Sequence, residues 1–448
     1  MPAGGPDGRD IFPTSAVLCR DGVGKVPFPS GTLVWPVIHR ITFGFFLWII
    51  FCSKIMKDSV SRMEPTAWNK TFFDAFDHYN PLFMMAMMIW LWGLNVHVFM
   101  RSRVNYPKVF DLDSNHLTHL EIWKIASWMT ILVVTSMTAY LYLESYEATQ
   151  LAAAQPVIIY GVLPFLLAFP VDVLFSSSRF YFITTIFRMI FPLQPISFPD
   201  FFVADVLTSM SKVLSDVERS ICRMYFFQIV ESQMTGVPED DANFMCGNHS
   251  YWIPCILAFP YLCRFFQCLR QYSDTRDKSC LLNALKYTTT FPVIILSALK
   301  YQLPDVVLWE TIYRPLWLLC SVINTLYSFY WDITRDWDLG LLTSKAKKSL
   351  LRPSLLYGHR WVYYWAIASN LFLRCSWTYK LSAHLRHNRL TVFTFSGLEM
   401  LRRFQWIFFR VECEYNKMIN RGASVDIPLK EVGTKLATEH FSPSDYDT

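Results

Sequence analysis

Apolar segments recur along the whole chain and alternate with short polar ones. The first 175 residues contain four of them, at 35–53, 81–100, 121–143 and 155–175. A helix of about 20 apolar residues crosses the hydrocarbon core of a bilayer, which is ~30 Å thick. The pattern therefore predicts four transmembrane helices in this part of the chain.

From about residue 199 onward, the apolar segments also contain charged residues. Six further spans are predicted, near 199–230, 249–270, 281–300, 308–333, 357–383 and 391–416. Charged side chains are costly in contact with lipid, so these helices are expected to face one another or water. We therefore predict an all-α polytopic membrane protein of about ten transmembrane helices, in which the last six form a polar-cored bundle.

The composition agrees with a membrane protein. Of the 448 residues, 53% are hydrophobic and 17% are charged, whereas a soluble protein carries about 25% charged residues. Length alone would suggest two or three soluble domains, but the hydropathy overrides that expectation. Residues 1–30 are rich in Gly and Pro and lack the apolar core of a signal peptide, so the first helix is expected to be a retained anchor.

The eleven cysteines are scattered and form no CxxC pair or Cys/His spacing. Most lie in predicted helices, where cysteine behaves as a small hydrophobic residue. The sequence therefore predicts neither a zinc site nor a disulfide framework. No metal and no other cofactor is expected.

Loop charges predict which side of the membrane each loop faces. If the N-terminus is cytosolic, the loops expected in the cytosol are 101–120, 176–198, 264–280 and 339–356, and these carry Lys and Arg. Arg264 is counted among the charges of the third of these loops. We therefore predict that both termini are cytosolic.

The opposite, luminal side receives segments of a different charge. Segment 144–154 has no Lys or Arg, and segment 231–248 is acidic. The sequons at Asn69 and Asn248 also fall on this side. Arg386 and Arg389, in the last luminal loop, oppose the bias.

Several charged residues lie inside the last six predicted spans. Asp332 and Asp336 are four residues apart and so share one helical face. They could bind a cation, relay protons or pair with arginines, whereas Asp338 is expected at a solvated helix end. Arg374 lies in mid-helix with Trp377 one turn further on, so Trp377 is either a cation–π partner of Arg374 or an interfacial anchor.

Two further stretches add polar residues to the predicted bundle. Lys286, followed by Tyr287, either faces the interior or extends to the membrane interface. Asp205 and Thr208 have helical spacing and predict an inward polar stripe.

The stretch LEMLRRFQWIFFR, residues 398–410, places Glu399 three and four residues before Arg402 and Arg403. One interpretation is an internal salt-bridge ladder, although buried pairs of this kind often add little net stability. The other follows from the whole set of buried charges. The candidate cations are Lys286, Arg374, Arg402 and Arg403, and the candidate anions are Asp205, Asp332, Asp336 and Glu399.

Arginines and a lysine that converge on one place suit a tetrahedral oxyanion, because guanidinium groups bind phosphate through two hydrogen bonds. The carboxylates can hold the arginines in place and accept protons from a partly protonated phosphate. The chain has no Walker loop, GxSxG elbow or HExxH motif, so no enzymatic activity is predicted.

Five stretches of the second half resemble the EXS-domain family of phosphate exporters, which includes the xenotropic and polytropic retrovirus receptor. They are CRFFQCLRQYSDT, LLNALKYTTT, YSFYWDITRDWDLG, FLRCSWTYKLS and LEMLRRFQWIFFRVECEYN, and the resemblance covers about 199 to 420. It implies a ten-helix membrane domain that needs no cofactor. The first four helices would be peripheral and used in homodimer contacts, and the last six would surround the phosphate path.

The resemblance also implies site residues. Thr208 falls where relatives can carry Asn, and Trp377 matches the gating position of the family. The implied phosphate-binding positions are Asp205, Thr208, Lys286, Tyr287, Asp332, Asp336, Arg374, Glu399, Arg402 and Arg403.

Only about 34 residues precede the first predicted helix, whereas plasma-membrane exporters of this family carry a long SPX domain there. The chain therefore resembles the short Golgi-type members, which implies that it returns phosphate released by glycosylation from the Golgi lumen to the cytosol. The expected partners are phosphate, membrane lipid, a second copy of the chain and Golgi glycosyltransferases, with no nucleic acid. The alternatives are a Golgi retention protein that binds glycosyltransferases, with a purely structural polar core, and a plasma-membrane phosphate exporter.

These interpretations divide the chain into four regions. The expected regions are a short cytosolic segment at 1–34, four peripheral helices at 35–175, the phosphate-conducting EXS bundle at 176–420 and a disordered cytosolic tail at 421–448.

Overall fold

A computed structural model describes most of the chain. The described residues are 31–113, 116–169, 175–225, 245–247, 249–302, 306–339, 355–382, 385 and 388–439. Within these ranges the chain is helical and contains no strand. It divides into two units, Met1–Lys57 and Asp58–Thr448.

Fourteen helices are numbered here in chain order. Their bounds are α1 (Gly31–Arg62), α2 (Pro65–Arg101), α3 (Tyr106–Val109), α4 (His119–Glu144), α5 (Thr149–Ala168), α6 (Ser176–Ile190), α7 (Phe198–Ser209), α8 (Ser211–Tyr225), α9 (Trp252–Thr275), α10 (Lys278–Thr288), α11 (Thr290–Gln302), α12 (Val306–Asp336), α13 (Arg360–Arg374) and α14 (Arg389–Glu439). A 3₁₀ segment, Cys375–Leu381, continues α13.

Six helical segments of the described chain are long and apolar enough to cross a membrane. They are α2, α4, α5, α9, the pair α10–α11 (Lys278–Gln302) and α12. The all-helical membrane fold predicted from the sequence is therefore confirmed. The count of ten spans stays a prediction, because α7, α8 and α13 are short and α14 carries many charges.

Local sequence signals explain where several helices begin. Thr118 and Glu121 form a capping box at the start of α4, and Ser197 and Asp200 form one at the start of α7. Asp277 caps α10, and hydrogen bonds from the Ser279 hydroxyl and backbone N–H lower the pKa of this carboxyl.

Helix α2 is the structural centre of the second unit, because it packs against α4, α8 and α14. The contact with α4 depends on Gly93. A Cβ atom at this position would lie 2.5 Å from the indole of Trp123. Glycine therefore lets the Trp123 ring lie directly against the backbone of α2.

A large apolar core joins α2, α3, α7, the end of α12, α13 and α14. Its largest fully buried side chains include Trp337, Trp406, Tyr363 and Phe99. Deep in this core, the carboxylate of Glu412 accepts hydrogen bonds from the Tyr363 hydroxyl at 2.9 Å. The core lies at one end of α12, next to the cavity described below.

Helical geometry is interrupted in five places where the sequence predicts continuous spans. Span 199–230 breaks at Met210, between α7 and α8, and span 281–300 breaks at Thr289, between α10 and α11. Helix α12 contains a π-helical segment near its start, Trp309–Tyr313, and ends in a π-helical turn, Asp332–Asp336. Helix α13 tightens into the 3₁₀ segment after Arg374. All of these interruptions except Trp309–Tyr313 surround the cavity.

Two sequence-based expectations are wrong. Residues 176–198 were expected to be a loop, but they contain α6, which at 15 residues is too short to span a bilayer. Arg264 was expected in a loop, but α9 continues to Thr275 and buries it. The disordered tail at 421–448 stays a prediction; α14 continues into this region, to Glu439.

The cysteine prediction also needs correction. Cys222, near the end of α8, forms a disulfide with Cys246, which precedes α9. The two residues are 24 positions apart in sequence, so no short spacing motif indicates that they form a disulfide. The fold brings them together because α8 and α9 pack side by side.

Some expectations fall on residues that the structure does not describe. These are residues 1–30 of the N-terminal segment, most of segments 231–248 and 339–356, the sequon Asn248, and Arg386.

Candidate functional site

A polar cavity of about 200 Å³ lies among α7, α9, α10, α11, α12, α13 and α14. A cavity needs a volume of only about 10–15 Å³ to hold one water molecule, so this cavity has room for a small polyatomic ion. The lining residues are Asp205, Thr208, Tyr261, Lys286, Tyr287, Thr290, Asn324, Thr325, Ser328, Asp332, Arg374, Ser376, Trp377, Glu399, Arg402 and Arg403.

The structure brings together almost all of the candidate site residues predicted from the sequence. All of them line the cavity except Asp336. The reason for the exception is the π-helical turn that begins at Asp332. A π turn closes its hydrogen bonds from i to i+5, so residues four apart do not superpose as they do in an α-helix. Asp332 therefore faces the cavity, whereas Asp336 lies behind it.

Asp205 is held from behind the cavity by Arg264, which the sequence analysis missed as a site residue. Nε of Arg264 lies 2.8 Å from Oδ1 of Asp205, and the Tyr287 hydroxyl donates to the same oxygen at 2.6 Å. Arg264 is 3% exposed and also donates to Gln267 at 2.7 Å. The negative charge of Asp205 is therefore compensated before any ion enters the cavity.

Asp332 is the acceptor for two residues of one other helix, α13. Its Oδ2 atom accepts from Nε of Arg374 at 2.9 Å and from Nδ2 of Asn370 at 3.0 Å. Nη1 of Arg402 lies further away, at 3.8 Å from the same oxygen. Asp332 thus ties α13 to α12 and orients Arg374 at the cavity wall.

Arg402 is paired within its own helix. Its Nε atom donates to Oε2 of Glu399 at 2.8 Å, one turn back along α14. The i,i+3 ion pair that the sequence allowed is therefore present. Together with Asp332, Glu399 compensates the charge of Arg402.

Arg403 differs from its neighbour because no carboxylate within the described ranges lies within ion-pair distance of it. Its Nε atom donates to the Ser209 hydroxyl at 2.9 Å, and Nη2 donates to the Thr208 hydroxyl at 3.2 Å. Its guanidinium carbon lies 4.4 Å from the centre of the Trp406 ring. The side chain is 6% exposed, so a full positive charge is buried here with only neutral partners.

Lys286 is buried at the cavity wall and does not extend to a membrane interface. Its nearest carboxylate among the described residues is Asp336, at 3.7 Å, and its ammonium group lies 4.7 Å from the Tyr287 ring centre. Counted together, four cations and three carboxylates line the cavity. The lining therefore carries one net positive formal charge.

Neutral hydrogen-bonding groups complete the lining, and the sequence analysis did not single them out. They are Tyr261, Thr290, Asn324, Thr325, Ser328 and Ser376. Asn324 accepts hydrogen bonds from the hydroxyls of Thr289 and Thr290 at 2.9 and 3.2 Å. For those on α12, the available signal was the four-residue spacing from Asn324 to Ser328 and on to Asp332.

Trp377 lies on the 3₁₀ segment at one end of the cavity. Its indole N–H donates to the Thr325 hydroxyl at 2.9 Å, and its ring packs edge-on against Trp317 with centroids 5.6 Å apart. The cation–π pair with Arg374 that the sequence allowed is not present between these two residues. Arg374 instead turns toward Asp332, because the chain tightens after it.

Within the part of the chain that the structure describes, no group of three or more His, Cys, Asp or Glu side chains could hold a metal ion. The chemistry available in the cavity is therefore that of its cations, carboxylates and hydroxyls. Such a set can bind an anion through charge-assisted hydrogen bonds and exchange protons with it.

The fold and the cavity together define a helical multi-span membrane protein with a cation-rich chamber between its helices. The chain belongs to the EXS family, whose model matches residues 75–416. The resemblance stated from the sequence is therefore confirmed.

Similar curated proteins include the SPX and EXS domain-containing protein 3 of Dictyostelium discoideum, which is 29% identical over 92% of this chain and 45% of its own length. Solute carrier family 53 member 1 of Mus musculus is 32% identical over 75% of this chain and 50% of its own length. The xenotropic and polytropic retrovirus receptor 1 homolog of Danio rerio is 32% identical over 75% and 49%. The chain thus spans about half the length of the curated relatives it matches.

Proposed function

We propose that this protein moves inorganic phosphate across a membrane through the cavity. The observation that carries the proposal is Arg403, a buried arginine that lines the cavity and has only hydroxyl and aromatic partners in the described structure. A buried charge without a counter-charge is costly. An anion in the cavity would supply the missing charge.

The remaining cations of the cavity are already paired with carboxylates, and they can also contribute to anion binding. Arg374 and Arg402 are oriented by Asp332 and Glu399, so their geometry is set before an anion binds. Lys286 has only a long ion pair and can turn to the anion at little cost. A preorganised site of this kind loses less conformational entropy when the ligand binds.

Phosphate suits the lining better than a fully ionised oxyanion does. A monoprotonated phosphate carries an O–H group as well as acceptor oxygens, and the carboxylates of Glu399 and Asp332 can accept that hydrogen. Sulfate has no such proton at neutral pH and would bring its oxygens against the carboxylates. The resemblance to phosphate exporters and the solute-carrier relative support the same substrate.

The proposed direction is from the Golgi lumen to the cytosol, with both termini cytosolic. The loop charges support this orientation. The Cys222–Cys246 disulfide adds support, because disulfides persist in the secretory pathway and outside the cell but are rare in the cytosol. Cys246 belongs to the acidic segment that is proposed to face the lumen.

The Golgi location, the homodimer and the contacts with glycosyltransferases are further parts of the proposal, and they rest on the resemblance to Golgi-type members. Imaging of the tagged protein at native expression separates the Golgi from the plasma membrane. Cross-linking of the protein in membranes tests the dimer.

The experiment that tests the transport proposal is phosphate flux in proteoliposomes that contain the purified protein. Radiolabelled phosphate should equilibrate faster than in liposomes without protein, and unlabelled phosphate should compete better than sulfate. A folded protein that neither binds phosphate nor raises its flux would contradict the proposal and favour a structural role for the polar core.

A further inference from the structure

Helix α12 runs alongside the cavity, and three side chains from neighbouring segments bond to it. Trp377 bonds to Thr325 of this helix, Arg374 bonds to Asp332, and Trp406 donates its indole N–H to Oδ2 of Asp336 at 3.2 Å. Thr325 lies seven positions before Asp332, which is about 10 Å at 1.5 Å per residue, and the π turn continues from there to Asp336. Trp377 therefore bonds to the part of α12 that lines the cavity, and Trp406 bonds to the opposite end of this stretch, just outside the lining.

Trp406 lies beside Arg403, just outside the residues that line the cavity. The indole is fully buried, and its face lies against the guanidinium group of Arg403. Its other neighbours include Phe202 of α7, whose ring centre is 6.3 Å away. An ion that leaves Arg403 toward the Asp336 end meets this aromatic layer first.

Buried charge continues on the far side of the indole. Arg410 follows Trp406 by one turn of α14, is 8% exposed and pairs with Glu414 at 3.3 Å. Its guanidinium group lies over the rings of Phe198 and Phe201. A helix face with a buried arginine on each side of a tryptophan is unusual for a purely apolar core, because each buried charge is costly.

We propose that Trp406 is a second closing element, which seals the cavity at the end opposite Trp377. Asp336 holds it closed by accepting its N–H, and the same carboxylate oxygen lies 3.7 Å from Lys286 at the cavity wall. An anion that draws Lys286 into the cavity removes the cation from Asp336. The buried carboxylate of Asp336 is then more stable in contact with water. The indole N–H of Trp406 loses its hydrogen-bond acceptor.

The π-helical turn Asp332–Asp336 gives this end of the cavity a means to rearrange. Turns of this kind are frequent at functional sites, and we include in the proposal a local change of this turn to α-helical hydrogen bonding. Such a change would rotate Asp336 relative to Asp332. The inference rests on the proposed function only for the identity of the ion.

The test measures access to the cavity without any ion. A reporter cysteine is introduced at the cavity wall by Ser328→Cys in the full chain, and the same chain without this substitution corrects for the native cysteines. The protein is reconstituted in sealed vesicles, and a membrane-impermeant maleimide is added to one side or the other. The measured quantity is the labelling rate from each side.

Trp406→Ala should raise the labelling rate from the Asp336 end by roughly tenfold or more, which corresponds to about 1.4 kcal/mol lost from the closed state. Trp406→Phe keeps a ring but loses the N–H, and it should give a smaller rise. Trp337→Ala is the matched control, because Trp337 is equally buried at the same end and packs on Phe409. This control should leave the rate unchanged.

Two results would overturn the inference. One is an unchanged rate in folded Trp406→Ala, or in Trp406→Phe if the alanine variant does not fold by size-exclusion chromatography. The other is an equal rise in Trp337→Ala, which would mean general loosening of the core. Phosphate binding by the wild-type protein is measured separately, so a failure of the proposed function is distinguishable from a failure of the closing element.

Discussion

Replacing Arg403 with alanine tests the link between the cavity and anion binding most directly. Two of the five N–H donors of this arginine bond to the Ser209 and Thr208 hydroxyls, and three have no acceptor within the described residues. Those three are available to an ion in the cavity. Because no described carboxylate lies within ion-pair distance of Arg403, its loss breaks no direct ion pair.

The magnitude follows from the number of bonds lost. Charge-assisted hydrogen bonds contribute about 1.5–3 kcal/mol each, and each 1.4 kcal/mol changes a dissociation constant about tenfold. Arg402, Arg374 and Lys286 remain and take over part of the charge, so we expect the net loss of about one bond. Arg403→Ala should therefore weaken phosphate binding by roughly ten- to a hundredfold.

The assay is equilibrium binding of radiolabelled phosphate to purified protein, together with flux in proteoliposomes. Arg403→Lys should rescue binding only in part, since lysine restores the charge but not the two-pronged geometry. Arg410→Ala is the matched control on the same helix. Arg410 is similarly buried, pairs with Glu414 and does not line the cavity, so its loss should leave phosphate affinity unchanged.

Folding is checked by size-exclusion chromatography and thermal unfolding. The reasoning is refuted if folded Arg403→Ala binds and transports phosphate like the wild type. Arg403 would then be a structural residue that holds α14 to the α7–α8 junction through Thr208 and Ser209. An equal loss in Arg410→Ala would likewise show that the effect is not specific to the cavity.

Three further predictions follow from the described contacts. Trp377→Ala should keep phosphate affinity within a few-fold and raise flux in proteoliposomes, and a loss of flux in folded protein would make Trp377 a wall of the pocket. In native membranes Cys222 and Cys246 should resist an impermeant maleimide until a reductant is added, then react from the luminal side; labelling without reductant would contradict the disulfide. Gly93→Ala should lower the free energy of unfolding by about 1–3 kcal/mol through overpacking, as read by thermal unfolding, whereas Gly161→Ala, which meets no atom within 4 Å, should not.

The charged residues of the site could be identified from the sequence because a charged side chain inside an apolar span is costly in contact with lipid. Lys286 and Arg374 are each flanked by uncharged residues and Asp332 begins a charged cluster at the end of an apolar stretch, and the structure brings all three to one cavity. The class of fold could be predicted for the same physical reason. Long apolar segments have few alternatives to membrane helices.

Other features depend on three-dimensional contacts that no local pattern encodes. Arg264 lies near a predicted helix end, where a loop arginine is the simplest interpretation, and its role appears only when α9 packs beside α7 and meets Asp205. The disulfide required two cysteines from different elements to meet. Asp336 was assigned to the cavity because α-helical spacing was assumed across a segment that is π-helical.

Four of the five interruptions of helical geometry lie around the cavity and explain its position. A continuous helix makes all of its backbone hydrogen bonds internally, so continuous helices would contact one another through their side chains only. The breaks at Met210 and Thr289, the π turn after Trp331 and the 3₁₀ segment after Arg374 occur in four neighbouring chain segments around one cavity. Irregular backbone is tolerated inside a membrane only where protein or a polar cavity surrounds it.

The breaks also supply the lining. The α7–α8 break follows Thr208 and Ser209, which hold Arg403, and the α10–α11 break places Thr290 beside Asn324. The π turn begins at Asp332, the acceptor for Arg374, and the 3₁₀ segment carries Trp377. Each interruption therefore contributes a residue that a continuous helix would have placed differently. Interrupting four spans around one point favours a polar chamber over a bundle built only to hold itself together.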